Sequence, residues 1–590
     1  MKITRLIAFG AAAAAGAVIL AGCTAPQSEL VSGTSLSVAQ NSGFTSYNNG
    51  TAANNSTYNA NITYMTNSAF NYYDASPKLI KNTKFGTYKV VSKSPLTIKY
   101  TIADGVKWSD GTAVDAADML LGWAANISKN NGKTVNFGSA AAGGGLDLVT
   151  KTPKISDGGK SLTLVYDKPF VDWETAFTIG VPAHVTYQLA YPKTSDADAK
   201  KKIIKAIDDN DTASLTKIAK AWSKGFDAVS MPKNKDIFLS DGAYKITNLT
   251  KDFVTLTANK DYTWGHLPKV SKITVRFIQD PLAQVQALQN GEVSIISGQA
   301  TADTIKALQQ VKNITTKTTN NATYEHVDLT YNNAGPFDPK TYGGDAAKAL
   351  SVRQAFLKTI PRQEILDKLI KPLNKDAVLA DSQTFLPGAD GYDESIKQNG
   401  SSAYQKVDIE GAKALLAKAG VSGLKVKFAY PNDNPRRVNE FQLIQASAKL
   451  AGIDVIDDGT PGDDFFGNLG DGSYDASIFA WQFTSLAATG TEAQLKTAAE
   501  GSTTSSNYNG FSNPQVDSDF AKLDVETDKS KQISLLQSID KATWNDAYGV
   551  TLYQLPDVSA NANTVSNVVD APLSPNVFWN FFDWNVKKKS

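Results

Sequence analysis

Three histidines, one cysteine and six arginines are the scarce reactive side chains of this 590-residue chain, and their positions limit its chemistry. His184, His266 and His326 stand far apart, and none has the H-E-x-x-H spacing that places two metal ligands on one helix face. A single cysteine, Cys23, leaves no disulfide within the chain and no zinc site of four cysteines, or of two cysteines with two histidines. Ser214-Leu-Thr-Lys217 fits the Ser-x-x-Lys pattern of penicillin-recognising enzymes, but the companion motifs are absent. Asp457, Asp458, Asp463 and Asp464 form an acidic loop without EF-hand spacing. No Walker A, G-x-S-x-G or complete G-x-G-x-x-G segment occurs. The expectation is therefore no catalytic residue, no metal ligand and no cofactor. With 58 acidic residues, a carboxylate pair of glycosidase type stays open, so a surface-anchored hydrolase is the alternative from another class.

Two features suggest binding instead. Arg436-Arg437 follow Asn434-Pro435 at a helix start, where cations oppose the helix dipole by roughly 0.3–1 kcal/mol each. They either pair with Asp433 or Glu440, or one of them grips a ligand carboxylate through its two-pronged guanidinium. The second feature is Trp481-Gln482-Phe483-Thr484-Ser485, which follows the strand Ala476–Ala480. Ligands of open α/β sheets collect beyond the carboxyl ends of strands, and Trp481 and Phe483 offer flat apolar walls there.

The elements that must position these residues can be read along the chain. Its 59 basic and 58 acidic residues leave a formal charge of +1, so there is no basic face for nucleic acid. The length implies three or four folded units. Lys2 and Arg5, then the apolar run Leu6–Ala21, describe a secretory signal too short for a membrane span. Leu20-Ala-Gly-Cys23 resembles the bacterial lipobox, in which the cysteine is lipidated and becomes the first mature residue. Residues 24–40 read as a flexible tether, and 41–70 as ordered loops with short strands. Strands are predicted at Leu96–Ile102, Ser161–Tyr166, Ile273–Ile278, Val293–Ile296, Glu325–Tyr331, Leu424–Tyr430 and Ile453–Ile456, with a hairpin around 249–252. Helices are predicted at Thr112–Trp123, Pro281–Gln289, Asp345–Ile360, Ile409–Ala419, Pro435–Ala451 and Ser530–Asn545. Mixed sheets flanked by helices fit this order.

Seven segments in sequence carry a resemblance. Asp104-Gly-Val-Lys-Trp108-Ser-Asp-Gly-Thr-Ala-Val-Asp-Ala-Ala-Asp118 resembles the hallmark segment of family 5 extracellular solute-binding proteins, the receptors of ABC importers for peptides, nickel and related solutes. Ser240–Tyr244, Asn259–Gly265, Gln289–Val293, Val352–Phe356, Ala412–Gly420 and Asn507–Pro514 are similar to further family landmarks, in the family's order. Ser294 and Pro361 depart from the acids usual at those places. The resemblance implies an α/β, two-lobe periplasmic-binding-protein-like (type II, cluster C) fold with an extra inserted domain. Residues 1–22 would be the signal peptide and 23–40 the lipidated tether. Domain I would comprise 41–70, 236–296 and 549–590, the inserted domain II 71–235, and domain III 297–548, with lobes that close on the ligand by hinge motion. The partners implied are a small organic solute or peptide, the permease subunits of an ABC transporter, and the membrane through the N-terminal lipid. A solute-sensing module is a further alternative.

In peptide-binding members the stretch at Trp481 carries an aspartate that pairs with the peptide's α-ammonium; here that position is Thr484, which cannot supply the charge. Simple free-amino di- and tripeptides are therefore expected to bind weakly, while oligopeptides remain the leading broad class. The ligand candidates are Trp481, Gln482, Phe483 and Thr484; Phe44, Tyr47 and Asn48; Tyr331 and Asn332; Arg436; and Asn507 and Tyr508. The lipidation site gives the first test. Cys23→Ala should release the protein or leave its signal uncut, read by membrane fractionation; a variant still processed and still membrane-bound would contradict the lipobox.

Overall fold

The computed structural model describes residues 30–483, 485–498 and 506–587, so the signal segment, Cys23 and Thr484 lie outside the described residues. In chain order the strands are β1 Val31–Gln40, β2 Asn71–Tyr73, β3 Leu79–Lys81, β4 Gly86–Lys93, β5 Leu96–Ile102, β6 Lys154–Ser156, β7 Ser161–Val165 and β8 Tyr244–Leu249. They continue as β9 Phe253–Ala258, β10 Val270–Phe277, β11 Ile295–Gln299, β12 Ile314–Leu329, β13 Lys425–Pro431, β14 Asp454–Thr460, β15 Ala476–Gln482 and β16 Gly549–Ala562. Ten of them form one mixed sheet in the order β14-β13-β15-β12-β16-β11-β1-β10-β9-β8. A separate sheet, β4-β5-β7-β6, stands beside it.

Several predicted elements coincide with observed ones because their ends carry chemical stops. The helices Pro281–Gln289, Ile409–Ala419 and Pro435–Leu450 are capped by Asp280, Asp408 and Asn434, whose side chains accept backbone N–H bonds of the first turn. Ala116–Asn126 starts at Asp115 in a capping box with Asp118, four residues later than the composition suggested. Strand β5 buries Leu96, Ile98, Tyr100 and Ile102 on one face by strict alternation.

Two expectations at the N-terminal end are corrected. The tether drawn over 24–40 is strand from Val31 onward, paired in parallel with β10 from Ser35↔Lys272 to Gln40↔Phe277. Alternation decides this: Leu36 and Val38 point into the core between serines, so a Ser/Thr-rich composition conceals a strand. The loops drawn over 41–70 contain the helix Thr57–Thr66, capped by Ser56, with Ile62 and Met65 fully buried. Packing overrides the turn preference of asparagine there.

Strands β12 and β16 belong to both lobes. Ile314–Thr319 pairs with Asp557–Ala562 beside β11, while Tyr324–Asp328 pairs with Gly549–Gln554 beside β15. Boundaries at 297 and 549 therefore assign strands to single lobes that both lobes share. The register shifts between Asn320 and Tyr324, and again between Glu325 and His326. One hydrophobic cluster joins lobe one to the β4–β7 sheet and its helices, through residues such as Val38, Tyr100, Leu120, Trp222 and Tyr244. A second fills lobe two around Val327, Phe356, Val426, Ile478 and Tyr553.

A buried ionic network clamps the lobe-two halves of both crossing strands to the helix Pro435–Leu450. Glu325 of β12 binds Arg436 at 2.8 Å and Arg437 at 2.7 Å; Arg436 also binds Glu440 at 2.9 Å and donates to the Tyr553 hydroxyl of β16 at 2.6 Å. Burial would raise Glu325, but the two guanidiniums outweigh it and hold the carboxyl below its usual range. Burial lifts Glu440 to about 7, against the pull of Arg436 and with the push of Glu325. Its Oε2 has no hydrogen-bond partner. Glu440 thus keeps its proton in the folded chain between its ordinary value of 4.5 and about 7, and stability from this group is lost as pH rises through that window. Glu440→Gln removes the titration, so the variant should gain about 2 kcal/mol on the wild type between pH 5 and pH 7.5, by denaturant unfolding. A difference that does not change with pH would contradict the assignment.

Candidate functional site

Three cavities lie where the lobes meet. The first, about 350 Å3, is lined by Asn321 and Asp557 of the crossing strands, by Tyr58 and Asn61 of the helix Thr57–Thr66, and by Gln482. The second, about 340 Å3, is aromatic: Tyr64, Tyr72, Tyr262, His266 and Phe582 line it, and Ser485 reaches it from lobe two. The third, about 550 Å3, lies between Lys78, Phe385, Phe483 and Ile533. Residues from the segments 482–488 and 572–578 line all three, so they are compartments of one interlobe cleft.

Local structure explains how these side chains arrive there. Strand β15 ends at Gln482, whose partner is Thr323 within the β12 irregularity. Asn321 holds that irregularity: its Oδ1 accepts from Thr323 N at 2.7 Å, and its Nδ2 donates to Asp557 Oδ1 at 2.9 Å. Gln554 Nε2 donates to the Asn321 carbonyl at 2.9 Å. Bulges of this kind re-aim side chains beside binding sites. Burial pushes Asp557 up to about 6, the Asn321 bond lowers it, and the neighbouring Asp570 charge adds to the rise. In the aromatic compartment Tyr72 Oη lies 2.9 Å from His266 Nε2, and the imidazole stacks on Phe582 with centroids 4.2 Å apart. Burial is the main cause that lowers the His266 pKa, so its ring is neutral at pH 7. Flat aromatic faces, amide donors and acceptors and one carboxylate make a surface suited to recognition.

Asp172, which follows β7, bridges to lobe two. Its carboxylate accepts from Ala488 N at 2.7 Å and from Thr489 N and Oγ1 at 3.1 and 2.6 Å.

The candidates from sequence separate clearly. Gln482 and Phe483 line the cleft. Thr484 lies outside the described residues. Trp481 is half-buried in a cluster internal to lobe two, stacked on Tyr508 at 5.9 Å and edge-on to Phe479 at 5.3 Å. Trp481 and Tyr508 therefore pack on each other and line none of the three compartments. Phe44, Tyr47 and Asn48 are core residues of lobe one: the two rings pack on Phe238, and Asn48 Nδ2 donates to the Trp222 carbonyl at 2.7 Å. Arg436 is committed to Glu325 and Glu440, so the ion-pair alternative holds, with a β12 partner the sequence could not supply. Tyr331 donates to the Asp546 carbonyl at 2.8 Å under the Arg353 guanidinium. Asn332 sits against Gly510, where an added Cβ would fall 2.2 Å from its Cγ. Asn507 braces its own loop through Phe511 N and O. Sequence reasoning missed Asn61, Asn321, Asp557, Tyr72, His266 and Phe582. The one available signal was Asn320-Asn321 interrupting a threonine-rich strand run.

Comparison with known proteins agrees with this architecture. The model of the bacterial extracellular solute-binding proteins, family 5, matches residues 76–499. An uncharacterized lipoprotein of Mycobacterium tuberculosis is 24% identical over 554 residues, covering 91% of this chain and 90% of its own. The oligopeptide-binding protein OppA of the same organism is 22% identical over 490 residues, covering 82% and 73%. The solved periplasmic EDTA-binding protein EppA superposes with a TM-score of 0.77 at 21% identity, covering 94% of this chain and 97% of its own. The chain belongs to the family 5 bacterial extracellular solute-binding proteins.

Proposed function

We propose that this protein is a lipid-anchored receptor, held at the outer face of the bacterial cell membrane or in the periplasm through Cys23. It captures an organic solute between its lobes, unchanged chemically, and delivers it to the permease of an ABC importer. The observation that carries the reading is the three-compartment cleft, whose walls come from both lobes and from the two strands that cross between them. A cleft of this build encloses most of its ligand once the lobes close, with the bulged strands as the hinge. Oligopeptides are the leading class. The aromatic compartment accepts apolar side chains, and the amides of Asn61, Asn321 and Gln482 suit a peptide backbone. The kinship with an oligopeptide-binding protein supports this, while the likeness to an EDTA-binding fold is support for the shared scaffold alone.

Denaturing release and mass spectrometry of whatever co-purifies with the native protein tests the reading. An organic solute near one per chain is expected, and at 100 times its Kd it should stabilise the fold by about 2.7 kcal/mol. Phe483→Ala should weaken that solute roughly tenfold by removing an apolar wall, measured by calorimetry. Chemical turnover of the recovered solute by the purified protein would contradict a receptor role.

A further inference from the structure

Two acceptors line the first compartment with bonding capacity left over, one on a half-buried carboxylate and one on a buried amide. One is Asp557. Its Oδ1 accepts from Asn321, but no lysine, arginine or histidine among the described residues forms an ion pair with it. The nearest chemistry does not fill the gap. Asp570 adds repulsion, and the Lys317 ammonium, on the paired strand, is engaged by the Val568 carbonyl at 2.8 Å. The other acceptor is Asn61 Oδ1, which is buried without any partner, while its Nδ2 donates to Gln40 Oε1 at 3.2 Å. Both residues line the same cavity of about 350 Å3, one from the crossing strand and one from the helix of lobe one.

An unpaired carboxylate and an orphaned amide oxygen facing one space share a single remedy, a group with several N–H donors and a positive charge. Water could satisfy the amide, but a half-buried carboxylate gains most from a cation that sheds its own water when the lobes close. Gln482 closes the compartment from lobe two, so a group held there touches both lobes.

We propose that Asp557, with Asn61, is the cation-binding corner of the cleft, and that the solute carries an ammonium or comparable N–H cation that docks there. This rests on the solute-receptor reading. It places the charge partner for a peptide terminus or an organic amine on β16 rather than on the segment after β15, where Thr484 stands. The burial that pushes Asp557 up to about 6 disfavours its charge, a cost that a bound cation would relieve.

The test is a thermal-shift and calorimetric screen of the full mature chain at pH 8. The probes are free-amino oligopeptides of four to nine residues, the same peptides N-acetylated and free of lysine and arginine, the polyamine spermidine, and the anion EDTA. Binding confined to the free-amino peptides or spermidine is expected. Asp557→Asn, which keeps the shape and the Asn321 contact, should weaken those ligands at least roughly tenfold. Asn61→Ala should weaken them by a smaller factor, about threefold to tenfold. Melting temperatures no lower than the wild type's without ligand would confirm that the fold survives; Asp557→Asn should melt slightly higher at pH 8, since it removes a carboxylate that burial disfavours. Cationic ligands indifferent to Asp557→Asn, or binding of only acetylated or anionic probes, would overturn the proposal and leave the receptor reading standing. No binding by any probe would overturn the proposal, and the receptor reading would then stand or fall on the solute recovered from the native protein.

Discussion

The antiparallel pairing of β12 with β16 is the constraint on which the rest of the structure depends. These are the strands through which the chain's two halves share one sheet, and their pairing runs from Ile314↔Ala562 in lobe one to Asp328↔Gly549 in lobe two. A sheet continuous across two lobes would be stiff, since each broken rung costs a buried hydrogen bond. The break between Asn320 and Tyr324 relieves that stiffness at the midpoint, where the Asn321 side chain accepts from Thr323 N and the Gln554 side chain donates to the Asn321 carbonyl. The same residue holds Asp557, so the proposed hinge and the proposed cation corner share one local irregularity.

On either side of that irregularity the strands are fixed firmly. In lobe two the Glu325–Arg436–Arg437–Glu440 network locks both strands to one helix; removing Glu325 would leave two buried guanidiniums without their shared carboxylate, at a cost of roughly 3–5 kcal/mol. In lobe one β16 pairs with β11, and the segment Val565–Trp584 that follows it buries its Phe578, Phe581 and Trp584 rings in the lobe-one core. Fixed flanks around an irregular middle are the arrangement the proposed closure requires. The Asp172 contact to residues 488–489 is a further tie between the part of the chain before the crossing strands and lobe two.

Much of this was legible in the sequence. Helices with Asp or Asn caps and strands with alternating faces were read correctly because those signals are local. The seven landmark segments identified the family, yet they are turns, caps and core residues: Trp108 is fully buried, and Asp115 and Asp118 cap a helix. The site was less legible. Asn321 and Asp557 lie far apart in the chain and meet only through the crossing strands, with Asn61 brought to the same cavity by a helix, and the first half of β12, Thr-Thr-Lys-Thr-Thr-Asn-Asn, has no apolar alternation to announce a strand. Phe44, Tyr47 and Trp481 misled for the opposite reason. Aromatic rings near predicted loops have the same composition whether they face a ligand or a core, and tertiary packing alone decides.

The central claim is that a solute binds between lobes that move about the β12–β16 bulge. Small-angle X-ray scattering of the mature chain, before and after removal of its co-purified solute by unfolding and refolding, tests it most directly. The account predicts a larger radius of gyration for the solute-free protein and recovery of the compact value when the solute is returned. Identical scattering in both states, with the solute tightly bound in one, would contradict it.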